Sequence, residues 1–422
     1  MDRPAHPSWI LGPSPSLSGG SSQQSNSEVA STTFRIPYEL CDSIIDLLRE
    51  DRRALCACSL VHRAWLPKAR YWLYKHVRIN STNKAKFQVV LTSNAALGDN
   101  IERLTIFARF PHHPFEWDKF LQSVTPHMPR LTRLEIHAGY LKDPKSFQYL
   151  TTIRTLQLKG TCIESEATRL AWLRSIPQVE ELKFWKIRLI GSSPIAASDY
   201  PLLFNLKSVK VHGARSGASN FLNYISPDVI RRIQRFDYGH LARQPFLDSW
   251  FHNIAATLEH LAFTSTWYSG NPSDQVLIHC TRLRSLEYSM GWNPDSEKST
   301  AGILWTLRTV ASPSLTVLRF NLLVDDRRVY DHKLSISDRP ALLAMLLSPK
   351  FASLERLSFH LSIIDFRMDG CEPPLLADLR ALLPDLNTRG ILALSSEPAP
   401  KLAAPKGPTM VLETEESSPG KE

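Results

Sequence analysis

The sequence predicts a mixed α/β chain in which a short three-helix unit leads into one long solenoid of strand-and-helix repeats, with disordered tails at both ends. Three observations predict it. Apolar residues fall at helical spacing between about residues 34 and 76, an apolar-x-x-apolar-x-apolar pattern recurs ten times after residue 100, and the two ends are rich in Ser, Pro and Gly. With 43% hydrophobic and 22% charged residues the chain has ample material for a core, which excludes a wholly disordered protein. A length of 422 residues would ordinarily suggest two or three compact domains. A repeat array removes that need, because each repeat packs mainly on its neighbours.

Residues 1–33 hold too little apolar surface to offset the entropy of ordering, so they read as a disordered tail. Pro37 suits a first helical turn, where its missing N–H costs nothing, and Leu40, Ile44, Leu47 and Leu48 follow as one stripe. Asp51, Arg52 and Arg53 interrupt it. A second stretch carries Leu55, Cys58, Leu60, Val61 and Trp65, and a third follows Pro67 with Ala69, Trp72 and Leu73. So small a helical unit is marginal alone, which implies something that covers its outer face. Its expected bounds are 34–80.

The recurring pattern starts at Ile101, Leu131, Ile153, Val179, Leu206, Ile233, Leu258, Leu283, Leu315 and Leu354. A single match means nothing, since about 8% of windows would match by chance at this composition. The spacing carries the argument: successive starts lie 30, 22, 26, 27, 27, 25, 25, 32 and 39 residues apart. Helix-like stretches lie between them at 167–175, 246–255, 303–310 and 341–347. A short strand followed by a helix at a period in the twenties is the leucine-rich-repeat arrangement, expected over 81–390. The consensus Asn or Cys after the strand is missing in most copies; Arg109, Gly139, Thr161 and Ile187 stand there in the first four, so the turns need other hydrogen-bond partners. Residues 391–422 read as a second disordered tail.

The run Ile36-Pro37-x-Glu39-Leu40-x-x-x-Ile44-Ile45-x-x-Leu48, with Asp51, Leu55 and Cys58-Ser59-Leu60-Val61-His62-Arg63-Ala64-Trp65, resembles an F-box, particularly those of the large fungal F-box family. The resemblance covers about residues 34–76. Ile36 replaces the usual Leu, a volume-conserving change, and His62 stands where Cys is common. The resemblance implies docking onto the Skp adaptor of an SCF-type (Skp, cullin, F-box) ubiquitin ligase. Pro37, Leu40, Ile44, Leu48, Leu55, Leu60, Val61 and Trp65 match the apolar positions, some contacting the adaptor and others forming the small core. The competing reading is that these helices merely cap the open end of the solenoid.

Strand side chains alternate faces, so residues between the inward apolar positions point outward. Lys183, Trp185, Lys210, His212 and Arg235 would then gather as a basic, aromatic-bearing patch on a concave target-binding face, since Trp and Arg are enriched at binding hot spots. The opposing reading folds Trp185 over a neighbouring strand and leaves the charges as a solvated face. The tails carry net −1 and −2 and residues 34–80 carry +4, which leaves +8 of the total +9 for 81–390 and mildly favours an acidic protein partner.

No phosphate-binding loop, dinucleotide fingerprint or nucleophile elbow is present, so the chain is expected to be a non-catalytic receptor without cofactor. His112-His113 and His279-Cys280 lack a second cluster at ligand spacing, so no metal is expected. Asp325-Asp326-Arg327-Arg328 reads as a self-compensated turn. The six cysteines read as reduced thiols, and without a membrane-length apolar run or signal-peptide anatomy the expected location is cytoplasmic, nuclear or both. The leading expectation is the substrate-recognition subunit of an SCF-type ligase. Its alternatives are a scaffold with no role in ubiquitination, or a basic nucleic-acid-binding solenoid, disfavoured because the cationic residues are scattered.

Overall fold

The computed structural model describes residues 37–107, 117–137, 140–141, 144–163, 166–189, 203–212, 225–239, 251–265, 277–292, 297–325, 339–364 and 374–398. The segment 1–36 and the segment 399–422 lie outside the described residues, as do His112, His113, Arg109, Gly139 and residues 326–328.

Three helices open the chain: α1 (Tyr38–Leu47), α2 (Arg52–Val61) and α3 (Leu66–Lys75). Pro37 immediately precedes α1. Asp51 caps α2, its carboxylate accepting from the Arg53 and Ala54 backbone N–H groups, and Pro67 sits in the first turn of α3. Ile45, Leu55, Cys58 and Ala69 form their small core, with Leu48, Trp65, Trp72 and Leu73 packed around it.

Fifteen strands are described: β1 (His76–Asn80), β2 (Arg103–Phe107), β3 (Arg133–His137), β4 (Tyr140–Leu141), β5 (Thr155–Lys159), β6 (Cys162–Ile163), β7 (Glu181–Trp185), β8 (Arg188–Leu189), β9 (Ser208–His212), β10 (Arg235–Gly239), β11 (His260–Ser265), β12 (Ser285–Trp292), β13 (Val317–Asp325), β14 (Arg356–Ile364) and β15 (Leu392–Pro398). Twelve of them form one parallel sheet in chain order, and β4, β6 and β8 form a small second sheet. The result is the expected α/β solenoid. Helices at Glu166–Arg174, Glu297–Thr309 and Arg339–Leu346 occupy three of the expected stretches.

Each apolar pattern reads out directly as burial. Its first position, from Ile101 to Leu354, is at most 6% exposed, and Leu156, Leu158, Leu182, Phe184, Val209 and Val211 at the second and third positions are 0–1% exposed. Burying one such side chain contributes about 1.5–3 kcal/mol, so every repeat adds a similar increment to one continuous core.

Two domain boundaries are corrected. The sheet begins at β1, so the helical unit ends at Lys75 rather than 80. Tyr74-x-x-Val77-x-Ile79 is an eleventh copy of the pattern, concealed because Tyr74 also belongs to α3. The sheet also runs past 390, because β15 pairs with β14 from Leu357↔Leu392 to Ile363↔Pro398. Here Arg389 occupies the leading apolar position, and buried Ile391 and Leu392 close the core in its place.

Successive repeats are also joined by main-chain bonds ahead of each strand. The Glu102 carbonyl accepts from the N–H groups of Thr132 and Arg133, both at 3.0 Å, and the same double contact recurs down the array to Thr316, which accepts from Glu355 and Arg356. After the strands, main-chain bonds also cross between repeats, Gly160 N–H donating to the Trp185 carbonyl at 2.7 Å and Lys186 N–H to the His212 carbonyl at 2.9 Å. Thr161 adds a side-chain bond of its own, donating to the Ile136 carbonyl at 3.4 Å. After β5 the chain turns through Gly160 at φ 59°, and one repeat later Lys186 takes the equivalent place at φ 52°.

Candidate protein-interaction surfaces

The helical unit divides its apolar residues between two roles. Leu55 is fully buried, and Leu48 and Trp65 pack around the same core, so these three hold the unit together. Leu40 (55% exposed), Ile44 (42%), Leu60 (82%) and Val61 (68%) face outward, joined by Tyr38 and Leu47, which the motif did not single out. Pro37 is exposed beside them, and so is His62, whose Nδ1 accepts from the Ala64 N–H at 3.1 Å. Contact with the solenoid runs through α3. Tyr71 donates to Glu102 at 2.9 Å, Lys75 lies 3.4 Å from the same carboxylate, and α3 packs on the turn at Ala95–Asn100. Trp72 in turn donates to Asp46 of α1 at 2.7 Å. One helix therefore caps the array while the outer faces of α1 and α2 stay open.

The open face of the large sheet carries the outward residues of each strand. In its middle the register aligns Lys183 with Lys210, Trp185 with His212, and Arg235 with Ser208. The indole and imidazole stack with centroids 5.0 Å apart, and Lys159 lies 5.4 Å from the indole. Gly239 makes room for this, because a side chain there would stand 2.4 Å from His212 Nδ1. The five expected residues do gather, but the lysines are not free. Lys183 lies 2.9 Å from Glu181, and Lys210 and His212 converge on Asp237 at 3.6 and 3.2 Å. Burial alone would raise the Asp237 carboxyl, yet these partners outweigh it and hold it below the ordinary range. The expectation of an open basic patch is corrected to a largely self-neutralised cluster around a half-exposed tryptophan.

Toward the start of the sheet, Glu135 is 4% exposed and ionised between Arg103 at 2.5 Å and Arg133 at 2.9 Å, with His137 at 3.7 Å. Burial would raise this carboxyl, but the imidazole and the two guanidiniums bring it down to about 2. Thr105 donates to the same group at 3.2 Å and also meets His76 at 2.8 Å. Burial, then Arg103 and Arg78, push His76 down to about 4, so it is neutral at pH 7.

The last five strands enclose a concavity of about 600 Å³ lined by outward residues, Glu287, Arg319, Asn321, Arg356, Ser358 and His360 among them. Sequence reading singled out none of these as a site. Arginines scattered singly give no local signal, and only the register sets Arg319 beside Ser358 and Asn321 beside His360.

Of the remaining motifs, His279 meets His252 edge to face at 5.1 Å, and Cys280 is buried, which pushes its thiol up to about 12. Among the described residues no helix is long and apolar enough to cross a membrane.

No protein-family model matches the chain, and neither does any curated protein. Solved structures align with it at low identity and low TM-score. An internalin (inlF) from Listeria monocytogenes aligns at 15% identity over 66% of this chain and 64% of its own, with a TM-score of 0.32. The leucine-rich-repeat ectodomain of the Arabidopsis receptor kinase HAESA, solved with a peptide hormone ligand, aligns at 15% identity over 66% of this chain and 43% of its own, with a TM-score of 0.29. The APL1 leucine-rich-repeat domain gives 11% identity over 72% and 81%, with a TM-score of 0.21. The chain thus spans about two thirds or less of the first and second of these. Its own register and periodicity make it a parallel α/β solenoid of leucine-rich-repeat type.

Proposed function

We propose that this chain is the substrate-recognition subunit of an SCF-type ubiquitin ligase, with α1 and α2 docking on a Skp adaptor and the open sheet face holding a target protein. The observation that carries this reading is the apolar face of Leu40, Ile44, Leu47, Leu60 and Val61. It lies within the segment that resembles an F-box, and the solenoid leaves it uncovered. Exposing such a surface is unfavourable in water, and a partner that covers it stabilises the folded state. Capping of the array is already performed by α3, so it does not account for the apolar residues of α1 and α2.

The chain itself supplies no chemistry in this scheme. Holding a target beside a charged conjugating enzyme raises its effective concentration there, and α3, packed on both the helical unit and the first repeats, transmits a fixed orientation between handle and target. The location inside the cell, cytoplasmic, nuclear or both, follows from this role.

The test is capture of a recombinant Skp adaptor and its cullin by the full chain, compared with Leu40→Asp and Leu60→Asp. Both side chains are solvent-exposed, so the variants should keep the wild-type melting temperature and lose the adaptor. Wild type that never captures the adaptor refutes the proposal. Adaptor without cullin assigns the chain to a scaffold instead.

A further inference from the structure

The concavity over β11–β15 has features that a merely solvated surface lacks. Ser358, on its floor, is 7% exposed, and its hydroxyl has no hydrogen-bond partner among the described residues. A buried hydroxyl left unpaired is unfavourable, and that cost is recovered when a ligand atom pairs with it. Arg319 stands directly beside Ser358 on the next strand, about 4.8 Å away in the sheet, and Arg356 lies two residues before it on the same face, about 7 Å along. On the other side the neighbour is Ala393, too small to fill the space.

The two guanidiniums are weakly engaged. Arg356 is exposed and has no ion pair among the described residues, and Arg319 has Glu287 at 3.7 Å, beyond hydrogen-bond distance. Glu287, Asn321, Ser289, His360 and Ser395 are already engaged with one another. Asn321 donates to Glu287 at 2.7 Å and to Ser289 at 3.0 Å, and His360 pairs with Ser395 at 2.9 Å, which holds the walls in place.

Resting on the proposed target-binding role of the open face, we infer that this concavity binds a single oxyanion, phosphoryl or carboxylate, carried by an extended peptide segment of the target. Two guanidiniums flanking a hydroxyl donor match the donor set that a phosphoryl or carboxylate group accepts, often in bidentate pairs. The volume of about 600 Å³ suits one side chain with its flanking backbone. A nucleic-acid strand fits less well, since Glu287 lines the site and two arginines cannot neutralise a run of phosphates.

The experiment uses the intact chain and three degenerate hexapeptide libraries with phosphoserine, glutamate or serine fixed at the centre, plus a single-stranded oligonucleotide as competitor. Retained peptides are sequenced and titrated by fluorescence polarisation. The phosphoserine or glutamate library should be retained at least tenfold over serine, and the stronger of the two identifies the oxyanion. Arg356→Ala should weaken binding about tenfold. Ser358→Ala should weaken it several-fold while leaving the melting temperature unchanged or higher, because it removes an unpaired buried hydroxyl. Equal or absent retention of all three libraries overturns the inference, as does equal affinity for the oligonucleotide or unchanged affinity in both variants. If the libraries fail while the chain still captures the Skp adaptor, the oxyanion site falls and adaptor docking stands.

Discussion

Replacing Glu135 with Gln removes the charge that holds the start of the sheet together, and the size of the effect can be worked from its titration. The carboxyl is displaced from 4.5 to about 2 by its guanidinium and imidazole neighbours, against an opposing effect of burial. At 1.36 kcal/mol per unit, that displacement is about 3 kcal/mol of folding free energy. The side chain is 4% exposed, so solvent screens this little, while Arg103 and Arg133, at 36% and 34%, reach water and are not stranded when their partner is lost. The contribution is complete above about pH 4.5 and is lost as pH falls through about 2, because a depressed carboxyl favours the fold only while ionised. In a solenoid the damage should also be local. Hydrogen exchange at pH 7 should show the opening free energy of the β2 and β3 amides falling by about 3 kcal/mol, with β13 and β14 unchanged. Urea unfolding should show the gap between wild type and Glu135→Gln narrowing between pH 4.5 and 2.5. Equal loss of protection across all strands, or an undiminished gap at pH 2.5, would refute the reasoning.

Trp65→Ala should destabilise the helical unit by about 2 kcal/mol, since its ring packs on the core around Leu55; helicity of residues 37–75, followed by circular dichroism and exchange, checks it. The first loss of stability in acid should come from His76, which is neutral in the fold with a value near 4; charging it is favoured in the unfolded chain, so stability falls as pH drops from about 6.5 to about 4, and His76→Gln should remove that part of the pH profile. Gly98→Ala should cost about 3 kcal/mol or more in urea unfolding, because the added carbon would sit 1.6 Å from the His127 carbonyl oxygen, a backbone atom that cannot swing aside. Lys186→Gly should stabilise by about 1 kcal/mol, since a left-handed φ of 52° strains any residue with a Cβ; thermal melts of the pair decide it.

Much of the fold was legible because each strand carries its own signature. The ten copies from Ile101 to Leu354 are short-range patterns, and each one found its strand. The two end strands escaped for identifiable reasons: Tyr74 serves α3 and the first repeat at once, and Arg389 breaks the pattern before β15. The middle cluster was legible as a gathering of Lys183, Trp185, Lys210, His212 and Arg235. Its charge state was not, because Asp237 meets Lys210 and His212 only through lateral strand register.

The sequence by itself determined which residues face the core, since periods of 2 and 3.6 translate directly into inward and outward positions. It also marked the F-box-like segment and the apolar stripe of the helical unit. Only the tertiary structure decided which members of that stripe are buried, which cations already have anionic partners, and where the open face is hollow. Those properties depend on side chains some 30 residues apart brought about 4.8 Å from one another across parallel strands, a separation that no local pattern records.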